Sequence, residues 1–171
     1  MRSAPERIAD GKSAEGKAIR REIAVEALRA SGKLRLRVFG GSMLPSIWPG
    51  DVLLIRRTPL AEMGLGDLIL YASDSGFIVH RIVKKDADTF TTRGDSLRVD
   101  DQPVPFSRVL GKIAIIERNG VSFAPKDKLR GIEKILSLLI GYFTPLKVLA
   151  FRLNALRLKV ARTDHNKEIM A

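Results

Sequence analysis

Between Lys33 and Val38 the chain alternates charged and aliphatic residues. Leu34, Leu36 and Val38 fall on one side and Lys33, Arg35 and Arg37 on the other, which is the period of a half-buried strand. Further strand-like runs follow in quick succession, at about 52–57, 67–72, 77–84, 89–93, 109–117 and 121–124. Turn-forming clusters separate them: Gly64 to Asp67, Asp74-Ser75-Gly76, Lys85 to Asp88, Gly94-Asp95-Ser96 and Asn119-Gly120. Asn-Gly between two apolar runs is a strong hairpin signal, because both turn residues must adopt positive φ. Short strands at this spacing predict an antiparallel, mainly β domain over residues 33–124. Ahead of it, residues 17–31 place Ile19, Ile23, Ala27 and Ala30 on one helical face, with Ser31-Gly32 as a stop.

From Pro125 the period changes to that of a helix. Ile135 to Leu146 carries no charge, yet at 1.5 Å per residue it covers only about 18 Å, short of the ~30 Å hydrocarbon core of a bilayer. Beyond Pro145, Leu146, Leu149, Leu153, Leu156 and Val160 form one apolar stripe with Lys147, Arg152, Lys159 and Arg162 off it. The chain therefore divides into a disordered N-terminus (1–16), a helix plus β domain (17–124) and a basic, apolar helical tail (125–171). Residues 1–16 show no apolar core, so no secretory signal is expected in them.

The net charge of +11 changes the picture for the tail more than for the β domain. Residues 125–163 hold nine Lys/Arg against Asp127 and Glu133. Such a balance suits an anionic surface, and basic residues beside an apolar stripe read as an interfacial membrane anchor. The expected location is membrane-associated through this tail, with the cytoplasm as second choice, and no nucleic acid is expected as a partner. The chain has no cysteine, which excludes disulfides and thiolate metal sites. His80 and His165 are far apart and lack a ligand partner at helical spacing, so no metal or cofactor is expected.

The candidate chemistry sits in the β region, in four short words: Gly41-Ser42-Met43-Leu44-Pro45, Gly50-Asp51, His80-Arg81 and Gly94-Asp95. They supply a hydroxyl, an imidazole and carboxylates, the inventory of a serine hydrolase. A serine hydroxyl needs a base within hydrogen-bond reach, and histidine is suited to that task without burial. Lys84 and Lys85 approach a polar turn where they would stay charged. If Lys84 pairs with Thr89 across that turn, His80 pairs with Arg93 and Asp95 falls on the same face, one diagonal step away. A one-residue slip would send Asp95 to the other face. Asp95 stands ahead of Asp101, and Asp101 ahead of Asp100, as the carboxylate that orients His80. Arg81 points away from His80 and reads as solvated or carboxylate-paired.

In order and spacing these words resemble the type I signal peptidases over about residues 34–117. Ser42-Met43-x-Pro45 looks like the nucleophile box, Gly50-Asp51 and Gly66-Asp67 like structural turns, and Gly94-Asp95 like the late acidic box. Gly111-Lys112 sits where the family's closing strand runs. Bacterial members usually carry lysine as the base; His80-Arg81 follows the endoplasmic-reticulum-like branch instead. The resemblance implies a signal-peptidase-like β fold and a Ser42–His80 site supported by Asp95 or Asp101, whose spacing matches that branch. It also implies an oxyanion hole from the backbone of Gly40, Gly41 and Ser42, and a substrate groove flanked by Met43 and Pro45. The implied substrate is a signal or leader peptide with small residues before the cut. Many members have a serine two residues before the nucleophile; here that position is Gly40, leaving backbone donors or an ordered water. Trp48 reads as packing or as a lipid contact.

Two other readings fit part of the pattern. A self-cleaving protease of the SOS-repressor type shares a Ser-Met word but uses lysine as base, and residues 1–32 are short for its DNA-binding domain and linker. A catalytically silent module that captures peptides or a membrane surface is the non-enzyme alternative.

Overall fold

The computed structural model describes Gly16, Ile19, residues 22–74 and residues 76–127. The expectations for residues 1–15 and for the tail from residue 128 onward, including His165, lie outside the described residues. A helix, α1, runs over residues 22–31, and Gly16 and Ile19 are also helical. Gly16 had been expected at the end of a disordered stretch.

Among the described residues eight strands follow: β1 (Lys33–Arg37), β2 (Val52–Arg56), β3 (Leu68–Ser73), β4 (Gly76–Lys85), β5 (Thr89–Arg93), β6 (Val104–Pro105), β7 (Val109–Arg118) and β8 (Val121–Phe123). Every pairing is antiparallel, and the sheet order is β1-β2-β7-β3-β4-β5-β6 with β8 on β7. The architecture is thus mainly antiparallel β with one helix near the N-terminus. The two-residue β6 had no counterpart in the sequence pattern, because Pro103 and Pro105 interrupt any strand period there.

The central strand β3 explains why the sheet carries two cores. Leu68, Ile69, Leu70 and Tyr71 are all buried, and alternate residues belong to different clusters. Leu68 and Leu70 join Met43, Ile47, Leu53 and Ile113, while Ile69 and Tyr71 join Ile82 and Phe90. A strand buried on both faces reads as a continuous apolar run, and each such side chain contributes about 1.5–3 kcal/mol. His80 lies opposite Ile69 on β3, on the second face, whereas Phe77 and Val79 turn to the first.

Helix α1 covers the first core with Ala24 and Leu28, which are buried. The buried residues are therefore not those of the apolar face of Ile19, Ile23, Ala27 and Ala30. Ile19 and Ile23 are at least half exposed, and the helix is rotated by about one residue, or ~100°. That rotation leaves Ile23 and Ala27 on the rim of the groove described below.

The Asn119-Gly120 turn forms as expected, with φ of 51° and 78° between β7 and β8. Gly50, at φ 98°, closes the long excursion between β1 and β2: Val38 N–H donates to Asp51 C=O, and Gly50 N–H to Val38 C=O. This clamp presents residues 39–49 as a loop at the end of the sheet.

Candidate active site

That loop carries Ser42. A turn closed by the Ile47 N–H to Met43 C=O bond (3.0 Å) drives Met43 and Ile47 into the first core and leaves Ser42 partly exposed. Asp51 anchors the far end of the loop. Its carboxylate accepts from Trp48 N–H (2.8 Å) and from the Arg118 guanidinium (2.7 Å), which also holds the Ser46 carbonyl. Asp67 acts similarly, accepting from Gly64 N–H and pairing with Lys112. Both Gly-Asp words thus serve turns.

Ser42 Oγ lies 3.0 Å from His80 Nε2, across 38 positions of sequence. His80 Nδ1 lies 2.6 Å from Asp101 Oδ2. A carboxylate only accepts, so Nδ1 carries the imidazole proton, and Nε2 keeps its lone pair for the serine hydroxyl. Hydroxyl, imidazole and carboxylate stand in line, the geometry that makes a serine nucleophilic.

Asp101 is held from two further sides. Thr92 Oγ1 donates to the same Oδ2 at 2.6 Å, and Tyr71 OH donates at 3.2 Å. Burial pushes the Tyr71 phenol up to about 12; the Thr92 hydroxyl, 3.5 Å from the phenol oxygen, opposes this, and the charge and hydrogen bond of Asp101 add to it. The phenol therefore remains a donor through the neutral range. Asp101 N–H also bonds Thr92 C=O (2.8 Å), which fixes its backbone to β5.

Asp95 is not the carboxylate on His80. It receives Arg81 through two hydrogen bonds of 2.8 Å and also accepts from Ser46 Oγ. The reason is register. The β4–β5 turn pairs Lys85 with Phe90 and Lys84 with Thr91, and a bulge at Val83 then pairs Arg81 with Arg93. Compared with the expected pairing this is a slip of one residue, and it turns Asp95 to the face of Arg81. Arg81 is carboxylate-paired, one of the two alternatives left open, and it is buried, with a further bond to Gly66 C=O (2.7 Å). Asp100 pairs with Arg93 at the surface.

The turn that Arg81 secures reaches Ser42 directly. Ser96 N–H and Oγ both donate to Ser42 C=O (2.9 and 3.0 Å), and the same hydroxyl is 3.0 Å from Gly41 C=O. Gly94 lies so close that a Cβ there would be 2.7 Å from Ser42 O and 2.9 Å from His80 Nε2. Sequence reasoning missed Thr92, Tyr71, Ser96 and Ser46. Only Ser96 carried a signal, as the hydroxyl that follows Gly94-Asp95.

The other candidates are placed as follows. Gly40 is exposed, and a side chain there would meet nothing within 4 Å. Met43 forms part of the groove's lining and is itself buried. Pro45 does not line the groove: the turn from Met43 to Ile47 carries it to the Trp48 side, where its carbonyl accepts Trp48 Nε1–H (2.9 Å). Lys85 Nζ donates to the Met63 carbonyl (2.8 Å) and Lys84 pairs with Asp86, so neither serves as a base for Ser42. Among the described residues no group of three or more His, Asp or Glu side chains is placed to hold a metal ion. Also among them, no helix is long and apolar enough to cross a membrane.

Ser42 and His80 open onto a groove of about 760 Å³ between α1, β1 and β4. Along its side, Gly76–Arg81 of β4 pair with β3, while β5 pairs only with Arg81–Lys85. Among the described strands, the second edge of Phe77–His80 is therefore unpaired. No family model matches the chain, and no curated protein matches it significantly.

Proposed function

We propose that the chain is a serine endopeptidase of the signal-peptidase type, with Ser42 as nucleophile, His80 as general base and acid, and Asp101 as the residue that orients and supports the imidazole. The observation that carries this is the unbroken row Ser42–His80–Asp101 at 3.0 and 2.6 Å, opening onto a groove. In this reading an extended peptide adds to the open edge of β4 beside Phe77–His80. Ser42 Oγ attacks the scissile carbonyl as its proton passes to Nε2, and the imidazolium is stabilised by Asp101. His80 then returns the proton to the leaving amine, and water repeats the sequence to release the acyl product. The turn of Gly40, Gly41 and Ser42 provides backbone N–H groups for the oxyanion.

The resemblance in sequence supplies the substrate class, a signal or leader peptide cut after small residues, and membrane association is assigned to the basic tail. Histidine at the base position, with Lys84 and Lys85 engaged elsewhere, favours this reading over a self-cleaving repressor-type protease. The test is cleavage of a panel of leader-like peptides by the wild type beside Ser42→Ala and His80→Ala. Both variants should lose activity by at least a hundredfold while melting near the wild-type temperature. Cleavage at the wild-type rate by Ser42→Ala would end the proposal.

A further inference from the structure

The groove is much larger than small residues need. A cavity of ~150 Å³ already accommodates benzene, and this one measures about 760 Å³. Its lining is almost wholly aliphatic or aromatic away from Ser42 and His80, with Arg37 as the exception. Phe77 and Val79 of β4 form one side, and Leu34 and Leu36 of β1 another. The third wall is α1, which contributes Ile23 and Ala27 from the face that its rotation leaves free of the core. Ile23 is 64% exposed at this rim, and Phe39, 82% exposed, stands three residues before Ser42. Large apolar side chains left open beside a reactive hydroxyl mark a surface that a ligand covers.

We infer that this groove binds a peptide carrying bulky aliphatic or aromatic side chains within a few residues of the bond to be cut, and that α1 sets this preference through Ala27 and Ile23. The inference rests on the peptidase reading for its occupant, because the groove is continuous with Ser42 and His80. Ala27 is the discriminating position. Its methyl group leaves room that a larger side chain would fill, whereas Phe77 and Val79 are already packed against the first core.

The experiment uses the full chain carrying Ser42→Ala, so that binding is read without turnover. Two fluorescent peptides are compared, both with small residues next to the bond, and identical except that one has Leu and Phe where the other has Ala at positions a few residues from it. The bulky peptide should bind at least tenfold more tightly. Ala27→Phe in the same background should weaken the bulky peptide at least tenfold and leave the alanine peptide within twofold. Ile23→Asp, at an exposed rim position that cannot unfold the core, should also weaken the bulky peptide selectively. Equal affinities for the two peptides, or equal losses in both variants, would overturn the inference. Absence of binding would overturn it as well, as when another part of the chain or a second copy occupies the groove. Failure of the wild type to cleave either peptide, with the binding difference intact, would overturn the peptidase reading and leave the groove's preference standing.

Discussion

Replacing Gly94 by alanine adds a single methyl group, at the point where Ser42 and His80 meet. The new Cβ would lie 2.7 Å from Ser42 O, 2.9 Å from His80 Nε2 and 3.0 Å from Leu97 Cδ1. Carbon–oxygen contacts ordinarily settle at ~3.3–3.6 Å, so the Ser42 carbonyl must retreat by about 0.6 Å or more. Leu97 can rotate away, but Ser42 O is tied to Ser96 by two hydrogen bonds and the imidazole is tied to Asp101. The methyl group therefore acts as a wedge between Ser42 and His80, whose contact is 3.0 Å. A misplacement of about 1 Å costs roughly a hundredfold in rate, and the wedge opens the pair by about half that to the full amount. The expected loss is roughly 10- to 100-fold, with an overpacking cost to stability of about 1–3 kcal/mol. The assay is the pseudo-first-order rate of labelling by a fluorophosphonate probe, run well below the melting temperature. Gly64→Ala, where an added Cβ meets nothing within 4 Å, should label within twofold of wild type. A stable Gly94→Ala protein that labels at the wild-type rate would refute the reasoning.

Three further outcomes are expected. Thr92→Val removes a donor from the Asp101 oxygen that faces His80, and a hydrogen bond to a charged group is worth about 1.5–3 kcal/mol; labelling should fall roughly tenfold and Thr92→Ser should restore it. Arg81→Met leaves the Asp95 carboxylate, whose side chain is 4% exposed, without its cation; urea unfolding should show a loss of about 3–5 kcal/mol, and a loss below ~1 kcal/mol would contradict the buried pairing. Tyr71 should titrate at about 12, read as the difference in phenolate absorbance between wild type and Tyr71→Phe, because burial favours the neutral phenol. Its folded value is raised, so the stability it contributes is complete below the ordinary value of about 10 and is lost as pH rises toward 12; a midpoint near 10 would contradict this.

Much of the fold was legible because it rests on local rules. The alternation of Leu34, Leu36 and Val38, the apolar run of β3 and the Asn119-Gly120 turn each carry their own geometry, and the observed strands end within a residue or two of the predicted limits. The closeness of Ser42 and His80 was an expectation from the order of the words, and here it rests on a loop clamped by Gly50 and Asp51. The choice between Asp95 and Asp101 was not legible. It depends on where the β4–β5 turn closes and on one bulge at Val83, and a shift of a single residue exchanges the faces of His80 and Arg81. Thr92 and Tyr71 were hidden for another reason: both are residues that strands favour on packing grounds, so nothing in the period marks their hydroxyls as partners of Asp101. For α1 the spacing identified a helix with Ile19, Ile23, Ala27 and Ala30 on one face, but it did not mark which residues the sheet would bury. The sheet instead accepts Ala24 and Leu28, which leaves Ile23 over the groove.

The account's central claim is that His80, supported by Asp101, makes Ser42 a nucleophile, and the most direct measurement is the site and extent of fluorophosphonate acylation, mapped by mass spectrometry of peptides from the intact, folded protein. One adduct per chain is expected, on Ser42, with none in Ser42→Ala and a rate at least a hundredfold lower in folded His80→Ala. Stoichiometric modification elsewhere, no modification of Ser42, or a His80→Ala protein that reacts as fast as wild type would contradict it.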